Sequence, residues 1–211
     1  MATIIPENDP RAADWAVEAL KAGELVVLPT DTVYGLAAVA SNDNAVRHLY
    51  AAKNRPLSKA VPLFVADSGM ASWVADLTPV ANSLISAFWP GALTIVMRKA
   101  KTFRSVALGG ADTVALRVPD YNLVRNVVRA VGEPVTGTSA NRSGARSPVS
   151  ASEAAFQLGT LVALVIDGGP VGRAVESTVL DITRPEGATI LREGAVTRED
   201  LKRVLGERLA A

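Results

Sequence analysis

Cysteine is absent from the 211 residues, and histidine occurs once, at His48. Without thiols the chain forms no disulfide and offers no thiolate metal ligand, and a lone imidazole argues against both a His-based zinc site and a Ser-His-Asp triad. Aromatic residues are scarce, at 5%, and charge is balanced, with 22 Lys and Arg against 21 Asp and Glu for a net charge of +1. That balance makes no global field toward nucleic acid or a membrane surface, so any basic site has to be local. No apolar run approaches the length of a membrane span, and the opening MATIIPENDP lacks the basic start and apolar core of a secretory leader; a cytoplasmic protein is expected. Neither a GxxxxGK[ST] loop nor a GxGxxG after a strand occurs, so a bound nucleotide would need another device.

What is present suits one sizeable core: 49% of the residues are hydrophobic, and a single domain over residues 1–211 is expected. The pattern alternates helical and extended segments. Asp9 with Pro10 reads as a cap and first position of a helix whose Ala13, Ala16, Val17 and Leu20 share a face before Gly23. A helix from Asn42 carries Val46, Leu49 and Tyr50 inward, places His48 on its side and ends near Arg55, because Pro56 restricts the residue before it. Val61–Val65 reads as a strand, and Thr78 with Pro79 opens a helix that runs to Phe88. Strands are expected at Leu93–Met97 and Val114–Val118, joined by a mobile polar loop over Arg98–Asp112. Asn122–Val131 is helical, Ser150 with Glu153 has capping-box spacing, and Leu161–Ile166 is a buried strand before the turn-rich Asp167–Gly172. Ser177–Ile182 and Ala188–Arg192 complete the strands, and Thr197 with Asp200 caps a terminal helix. Some seven strands among some five helices, with hairpin-like neighbours, make the class α/β (α+β) with a twisted mixed β-sheet.

Three stretches hold the chemistry, and each admits a plain reading. Leu25–Gly35, LVVLPTDTVYG, is a buried strand stopped by Pro29 and opening into Thr30, Asp31, Thr32 and Tyr34. This is either a ligand-binding strand end or an ordinary hydrogen-bonded turn. Lys53–Lys59, KNRPLSK, places three cations at a helix's carboxyl end, which suits the macrodipole but also a phosphate, for which Arg offers a two-pronged fork. At such a helix end the charges of Lys53 and Arg55 are expected to be dispensable for the fold. Gly137–Gly144, GTSANRSG, is either an Asn/Ser/Gly turn or a backbone nest for an anionic or sugar group.

Taken in order, PTDTVYG, KNRP, FWPGALTIV, VALRVP, TSANRSG, VESTVLD and ILREGAVT resemble the YrdC-type threonylcarbamoyl-AMP synthases over nearly the whole chain. The resemblance implies a mixed sheet flanked by helices around a positively charged cavity. It further implies synthesis of threonylcarbamoyl-AMP and pyrophosphate from L-threonine, bicarbonate and ATP, with Mg²⁺ accompanying ATP, for threonylcarbamoyladenosine modification of tRNA. Carried over by motif, Lys53 and Arg55 would be catalytic, and Thr32, Arg117 and Ser177 would hold L-threonine. ATP would be held by Lys53, Arg55, Thr113, Ser139, Asn141, Ser147 and Arg192; no protein metal ligand is implied. The partners implied downstream are tRNA threonylcarbamoyl-transfer proteins, with tRNA or RNA binding and no membrane contact. The chain departs from the family's pattern after KNRP, where Lys59 and Phe64 stand, and this touches the outer wall of the threonine pocket. Two other readings stay open, a non-catalytic RNA-binding module of the same fold and a paralogue acting on another amino acid or carbamoyl donor.

Overall fold

The computed structural model describes residues 2–171 and 175–210. Among them the chain forms, in order, β1 (Thr3–Pro6), α1 (Ala12–Lys21), β2 (Val26–Leu28), β3 (Gly35–Ala37), α2 (Asp43–Lys53), β4 (Leu63–Phe64), α3 (Ser68–Val74), α4 (Pro79–Phe88), β5 (Leu93–Arg98), β6 (Thr113–Arg117) and α5 (Asn122–Val131). β7 (Val135–Thr136), β8 (Thr138–Ser139), α6 (Ala151–Leu158), β9 (Leu164–Asp167), β10 (Thr178–Asp181), β11 (Thr189–Arg192) and α7 (Arg198–Leu205) follow. The mixed α/β class expected from the pattern is the one observed. The strands, however, form two sheets, ordered β1-β9-β2-β3-β8 and β11-β10-β5-β6-β4-β7.

Each sheet mixes directions. β1, β9 and β2 run parallel while β2-β3 and β3-β8 are antiparallel. In the second sheet β10-β5 and β4-β6 are parallel and β5-β6, β10-β11 and β4-β7 antiparallel. The two hairpins legible in the sequence, β5-β6 and β10-β11, are both present. The sheets meet where Val39 bridges Val135, with the Thr136 amide donating to the Ala38 carbonyl at 2.8 Å. Runs of buried Val, Leu and Ala from both sheets and from α1, α2 and α5 make one continuous core.

Several helix ends follow the residues that cap them. Asn42, Thr78 and Ser150 each accept a bond from the backbone N–H three residues on, and Thr197 with Asp200 forms a reciprocal capping box, satisfying amides that a helix start leaves orphaned. Ser150 and Glu153 do not close such a box, because the Glu153 carboxylate accepts from the Val149 amide instead. Asp9 is not the cap of α1. Its carboxylate accepts from the Arg11 amide and its carbonyl from the Ala12 amide, so Asp9 and Pro10 make a tight turn and the helix starts at Ala12.

Other expectations shift. Val61–Val65 contracts to Leu63–Phe64, and the short elements β1, β3, α3 and β8 carry too little periodicity to be read in advance. The loop Arg98–Asp112 is anchored and not loose: a 3₁₀ turn at Val106–Leu108 buries Ala107 and Leu108, and the Ala107 carbonyl accepts from the Val61 amide and the Tyr50 hydroxyl. Of the turn Asp167–Gly172, its last residue lies outside the described residues. No helix among the described residues is long and apolar enough to cross a membrane.

Candidate active site

Strand ends from both sheets converge on a cavity of about 250 Å³. Thr30 and Thr32 follow β2, Arg117 ends β6, Ser139 ends β8, Ser177 precedes β10 and Arg192 ends β11; all line it, together with Arg55, Phe64 and Glu176. A second cavity of about 220 Å³ adjoins it, sharing Arg55, Thr138 and Ser139 and adding Lys53, Lys59 and Asn141. The three cations of KNRPLSK thus do border one hollow.

Around Thr32 the strand end is a hydrogen-bonded turn that lines the cavity. The Thr30 hydroxyl donates to the Val33 carbonyl at 2.7 Å and accepts from the Thr32 amide at 3.1 Å, which is a hydrogen-bonded turn. With the Thr30 proton spent, the Thr32 hydroxyl is the donor in its 3.0 Å contact with Thr30, and its lone pairs accept from Arg117 Nη1 at 2.9 Å. Arg117 is 4% exposed; Nε donates to the Gly91 carbonyl at 2.8 Å and Nη2 to the Asp31 carboxylate at 2.6 Å. Burial lowers the pKa of this guanidinium, and the Asp31 charge opposes that shift. Such a pair is costly to desolvate, and its geometry has to be complete for the charge to persist.

Arg192 is held in the same manner by its own neighbours. Nε and Nη2 donate to the Ser177 carbonyl at 3.1 and 2.8 Å, Nη2 also to the Ser177 hydroxyl at 3.2 Å, and Nη1 to the Glu176 carboxylate. Glu176 also accepts from the Ser147 hydroxyl at 2.5 Å, and the Ser177 hydroxyl lies 2.8 Å from that of Thr94. Ser147 therefore reaches the cavity through Glu176 and is not itself part of its lining.

Lys53 is 2% exposed. Its ammonium donates to the carbonyls of Ser139 and Asn141, the latter at 2.7 Å, and makes a longer contact of 3.5 Å with Asn141 Oδ1. The Asn141 amide in turn donates to the Arg142 and Ala145 carbonyls, and the Ser143 amide donates to the Lys53 carbonyl. Lys53 is thus the pin around which GTSANRSG is folded, contrary to the expectation that its charge is dispensable for the fold: a buried ammonium must find acceptors, and this loop supplies them. Desolvation, reinforced by Arg55, depresses its pKa to about 8, while Glu176 raises it. Arg55 is more open; Nε and Nη2 donate to the Lys59 and Ala60 carbonyls at 3.1 and 2.8 Å, which turns the chain after Pro56 and sets the guanidinium at the junction of the cavities.

The cavities bring together Thr32, Lys53, Arg55, Arg117, Ser139, Asn141, Ser177 and Arg192. Thr113 is not among the lining residues: it pairs with Arg98 at the opposite end of β6 from Arg117. His48 is exposed on α2. Asp31 and Glu176 gain roles that no motif had assigned, as the partners of Arg117 and Arg192. A signal for the two carboxylates exists, since each directly precedes a hydroxyl residue, Thr32 or Ser177, of a basic cavity.

The sequence can now be set beside known proteins. A family model, Sua5_yciO_yrdC, described as "Telomere recombination", matches residues 18–194. The chain belongs to the Sua5/YciO/YrdC family. Within that family it is 40% identical over 204 residues to the threonylcarbamoyl-AMP synthase of Bacillus subtilis, covering 94% of this chain and 58% of that protein. A Mycobacterium tuberculosis relative is 41% identical across 95% of this chain and 92% of its own length. The crystal structure of Pyrococcus abyssi Sua5 complexed with L-threonine superposes with a TM-score of 0.92 at 34% identity, over 100% of this chain and 62% of that one. The chain thus spans about three fifths of the Bacillus and Pyrococcus proteins. Among Sua5/YciO/YrdC members the fold described above is the shared one.

Proposed function

We propose that the chain is an L-threonylcarbamoyladenylate synthase, acting in the cytoplasm for threonylcarbamoyladenosine modification of tRNA. The observation that carries this reading is the convergence of five cations, Lys53, Arg55, Lys59, Arg117 and Arg192, with the hydroxyls of Thr32, Ser139 and Ser177 on two adjoining cavities. Set against Asp31 and Glu176, the five cations leave a local charge of about 5 − 2 = +3, suited to a dianionic or polyanionic substrate. The names of the Bacillus relative and the Pyrococcus complex support the choice of ATP-dependent chemistry on threonine. An RNA-binding module fits less well, because the one aromatic ring that lines the cavity among the described residues, Phe64, is 3% exposed and stacking needs accessible rings.

In this reading the threonine amine attacks the carbon of bicarbonate, whose C–OH bond breaks so that hydroxide leaves with an amine proton as water, or the carbon of dissolved CO₂, whose C=O π bond opens while the amine proton passes to solvent; either route forms a carbamate. A carbamate oxygen then attacks the α-phosphate of ATP, and the bond to the β-phosphate breaks to release pyrophosphate. Arg117 holds the amino acid's carboxylate, and Thr32 and Ser177 meet its amine and hydroxyl. Arg55 and Arg192 stabilise charge on the phosphates, and Ser139 and Asn141, set by Lys53, shape the wall beside them. The work is positioning and electrostatic stabilisation in a hollow that shields the unstable carbamate from water. Mg²⁺ would enter with the ATP substrate and offset charge on its phosphates. The product passes to tRNA threonylcarbamoyl-transfer proteins.

Two expectations test this site. Arg55→Ala, at a partly open position, removes one charge-assisted contact to phosphate, for which about 1.5–3 kcal/mol is the usual magnitude. Steady-state turnover is expected to fall by about 10–150-fold by the same conversion, with a melting temperature close to that of the parent. Full activity in this variant excludes the cavity as the ATP site. Among amino acids the expected order for bicarbonate-dependent pyrophosphate release is threonine, then serine, then valine. A missing methyl costs roughly 1–3 kcal/mol, whereas a site built around a hydroxyl rejects its isostere by about 10⁴ or more. Valine at or above serine would mean that the hydroxyls of Thr32 and Ser177 do not read the substrate.

A further inference from the structure

Arg125, on α5, is not among the residues that line either cavity, yet it holds the stretch of chain on which Arg117 depends. Its Nη1 donates to the Pro119 carbonyl at 2.8 Å and to the Asp120 carboxylate at 3.1 Å, and its Nη2 donates to the Asn122 side chain. The Arg125 side chain is 17% exposed and that of Asp120 65%. An ion pair to so open a carboxylate is worth little, so the contact that matters is the one with the Pro119 carbonyl. Proline has no N–H, and its carbonyl is the one backbone group by which a side chain can tie it down. Val118, Pro119 and Asp120 directly follow the end of β6. The Asp120 amide donates at 3.1 Å to the same Asp31 oxygen that Arg117 Nη2 meets at 2.6 Å. The Val118 carbonyl accepts from the Gly91 amide at 2.9 Å, and the Gly91 carbonyl accepts from Arg117 Nε. Of the three acceptors that fix the Arg117 guanidinium, Gly91 and Asp31 are therefore themselves held by residues 118–120, and the third is Thr32.

We infer that Arg125 is a positioning residue for the amino-acid site, acting through the backbone of Pro119 and Asp120 on Asp31 and so on the direction in which Arg117 points. The inference rests on the proposed synthase reading, in which Arg117 holds the substrate carboxylate. A guanidinium carries five N–H donors in one plane. Gly91, Thr32 and Asp31 take one each, which leaves one on each Nη, a pair that a carboxylate can engage with both its oxygens. Where that pair points is set by the three acceptors. The Asp120 amide gives the Asp31 carboxylate a second donor besides Arg117, and it stays in place only while Arg125 keeps the Pro119–Asp120 segment there. Without Arg125 the segment relaxes, Asp31 turns with Arg117, and the two free N–H groups lose their aim at the substrate.

A double-mutant cycle tests this, because it separates action through Asp31 from general damage. Threonine and ATP affinities by calorimetry, kcat and KM for threonine, and melting temperatures are measured for the full chain, Arg125→Ala, Arg125→Lys, Arg125→Gln, Asp31→Ala and the Arg125→Ala, Asp31→Ala double variant. Arg125→Ala is expected to weaken threonine binding about 5–30-fold, the range in which members of one hydrogen-bond network couple. KM for threonine rises by a similar factor, while kcat and ATP affinity stay within about threefold of the parent. Arg125→Lys, which keeps the charge and can still donate to the Pro119 carbonyl, recovers threonine affinity to within about threefold. Arg125→Gln falls between the two and covers the case in which the alanine variant does not fold. In the Asp31→Ala background, where the oxygen shared by Arg117 and Asp120 is gone, adding Arg125→Ala weakens threonine binding by less than about twofold. Should Asp31→Ala bind too weakly to titrate, the split between threonine and ATP and the lysine rescue decide. Unchanged threonine affinity in Arg125→Ala overturns the inference. So does a joint fall of threonine affinity, ATP affinity and melting temperature, which marks a merely structural role, or an undiminished Arg125 effect in the Asp31→Ala background. A parent chain that does not bind threonine removes the synthase reading itself, and is told apart from these failures because it is seen before any substitution.

Discussion

Lys53→Ala is expected to abolish turnover and to lower stability together. The substitution strips the ammonium from the carbonyls of Ser139 and Asn141, and a buried polar group left without its partner costs about 1–3 kcal/mol. Lys53 is 2% exposed, so water does not readily replace the ammonium. The loop that forms one wall of both cavities then has no fixed shape, and ATP affinity falls with it. Lys53→Met, which restores the aliphatic stem but not the charge, should fail in the same way. Thermal melts together with ATP titrations check this: a variant with parental melting temperature and ATP affinity would show that the contacts around Asn141 do not hold the loop.

The same lysine sets a pH dependence whose two halves run in opposite directions. Its pKa in the folded chain is depressed to about 8 from 10.5. Below about pH 8 folded and unfolded chains both carry the proton, and stability does not vary through this group. Between about 8 and 10.5 the unfolded chain binds more protons, so the contribution of Lys53 to stability rises with pH. Turnover should do the reverse, falling as the ammonium that organises Ser139 and Asn141 loses its charge. An alkaline limb of activity near pH 8 with no matching loss of stability from this group is the expected signature, and comparison with Lys53→Arg, whose charge persists, identifies the titrating residue.

Arg117→Ala carries the second large effect. It leaves the Asp31 carboxylate without the partner at 2.6 Å and the Gly91 carbonyl and Thr32 hydroxyl without a donor. Breaking a buried pair from one side typically costs about 3–5 kcal/mol, and Asp31, at 17% side-chain exposure, keeps enough contact with water to place this site toward the lower end. Threonine binding should be lost in the same variant. Arg117→Lys cannot reproduce a fork that reaches Gly91, Thr32 and Asp31 at once, so it should recover little. Asp31→Asn is the informative control: if the carboxylate serves to hold Arg117 in register, the variant folds but binds threonine more weakly. Calorimetric titration of threonine alongside chemical denaturation separates the two losses, and threonine affinity unchanged in Arg117→Ala would dismiss the assigned pocket.

How much of this was legible in the residues differs from place to place. Pro29 after a buried run, Pro79 after Thr78 and the two hairpins were readable because turn and cap chemistry acts over a few residues. β1, β3 and β8 were not, since strands of two to four residues carry no period of their own and exist because a neighbour offers a ladder. One sheet was expected where two meet at Val39 and Val135, a junction that depends on tertiary placement. Within the site, the motif residues fall on the two adjoining cavities except Thr113 and Ser147, which line neither. What they did not convey is the state of those groups: Lys53 is already committed to backbone carbonyls, Arg117 to Asp31 and Arg192 to Glu176. Such pairing follows from burial, because a charge taken from water binds whatever acceptor the fold places beside it.

The central claim is that one chain joins threonine, bicarbonate and the adenylyl part of ATP, and isotope-labelled mass spectrometry tests it most directly. The chain is incubated with Mg²⁺, ATP, L-threonine and ¹³C-bicarbonate, and both pyrophosphate and nucleotide products are measured. The account predicts an adenylate bearing threonine and a single labelled carbon, formed in equal amount with pyrophosphate and absent when threonine or bicarbonate is left out. Pyrophosphate release without incorporated label, or an adenylate of threonine lacking the carbonyl carbon, would contradict it.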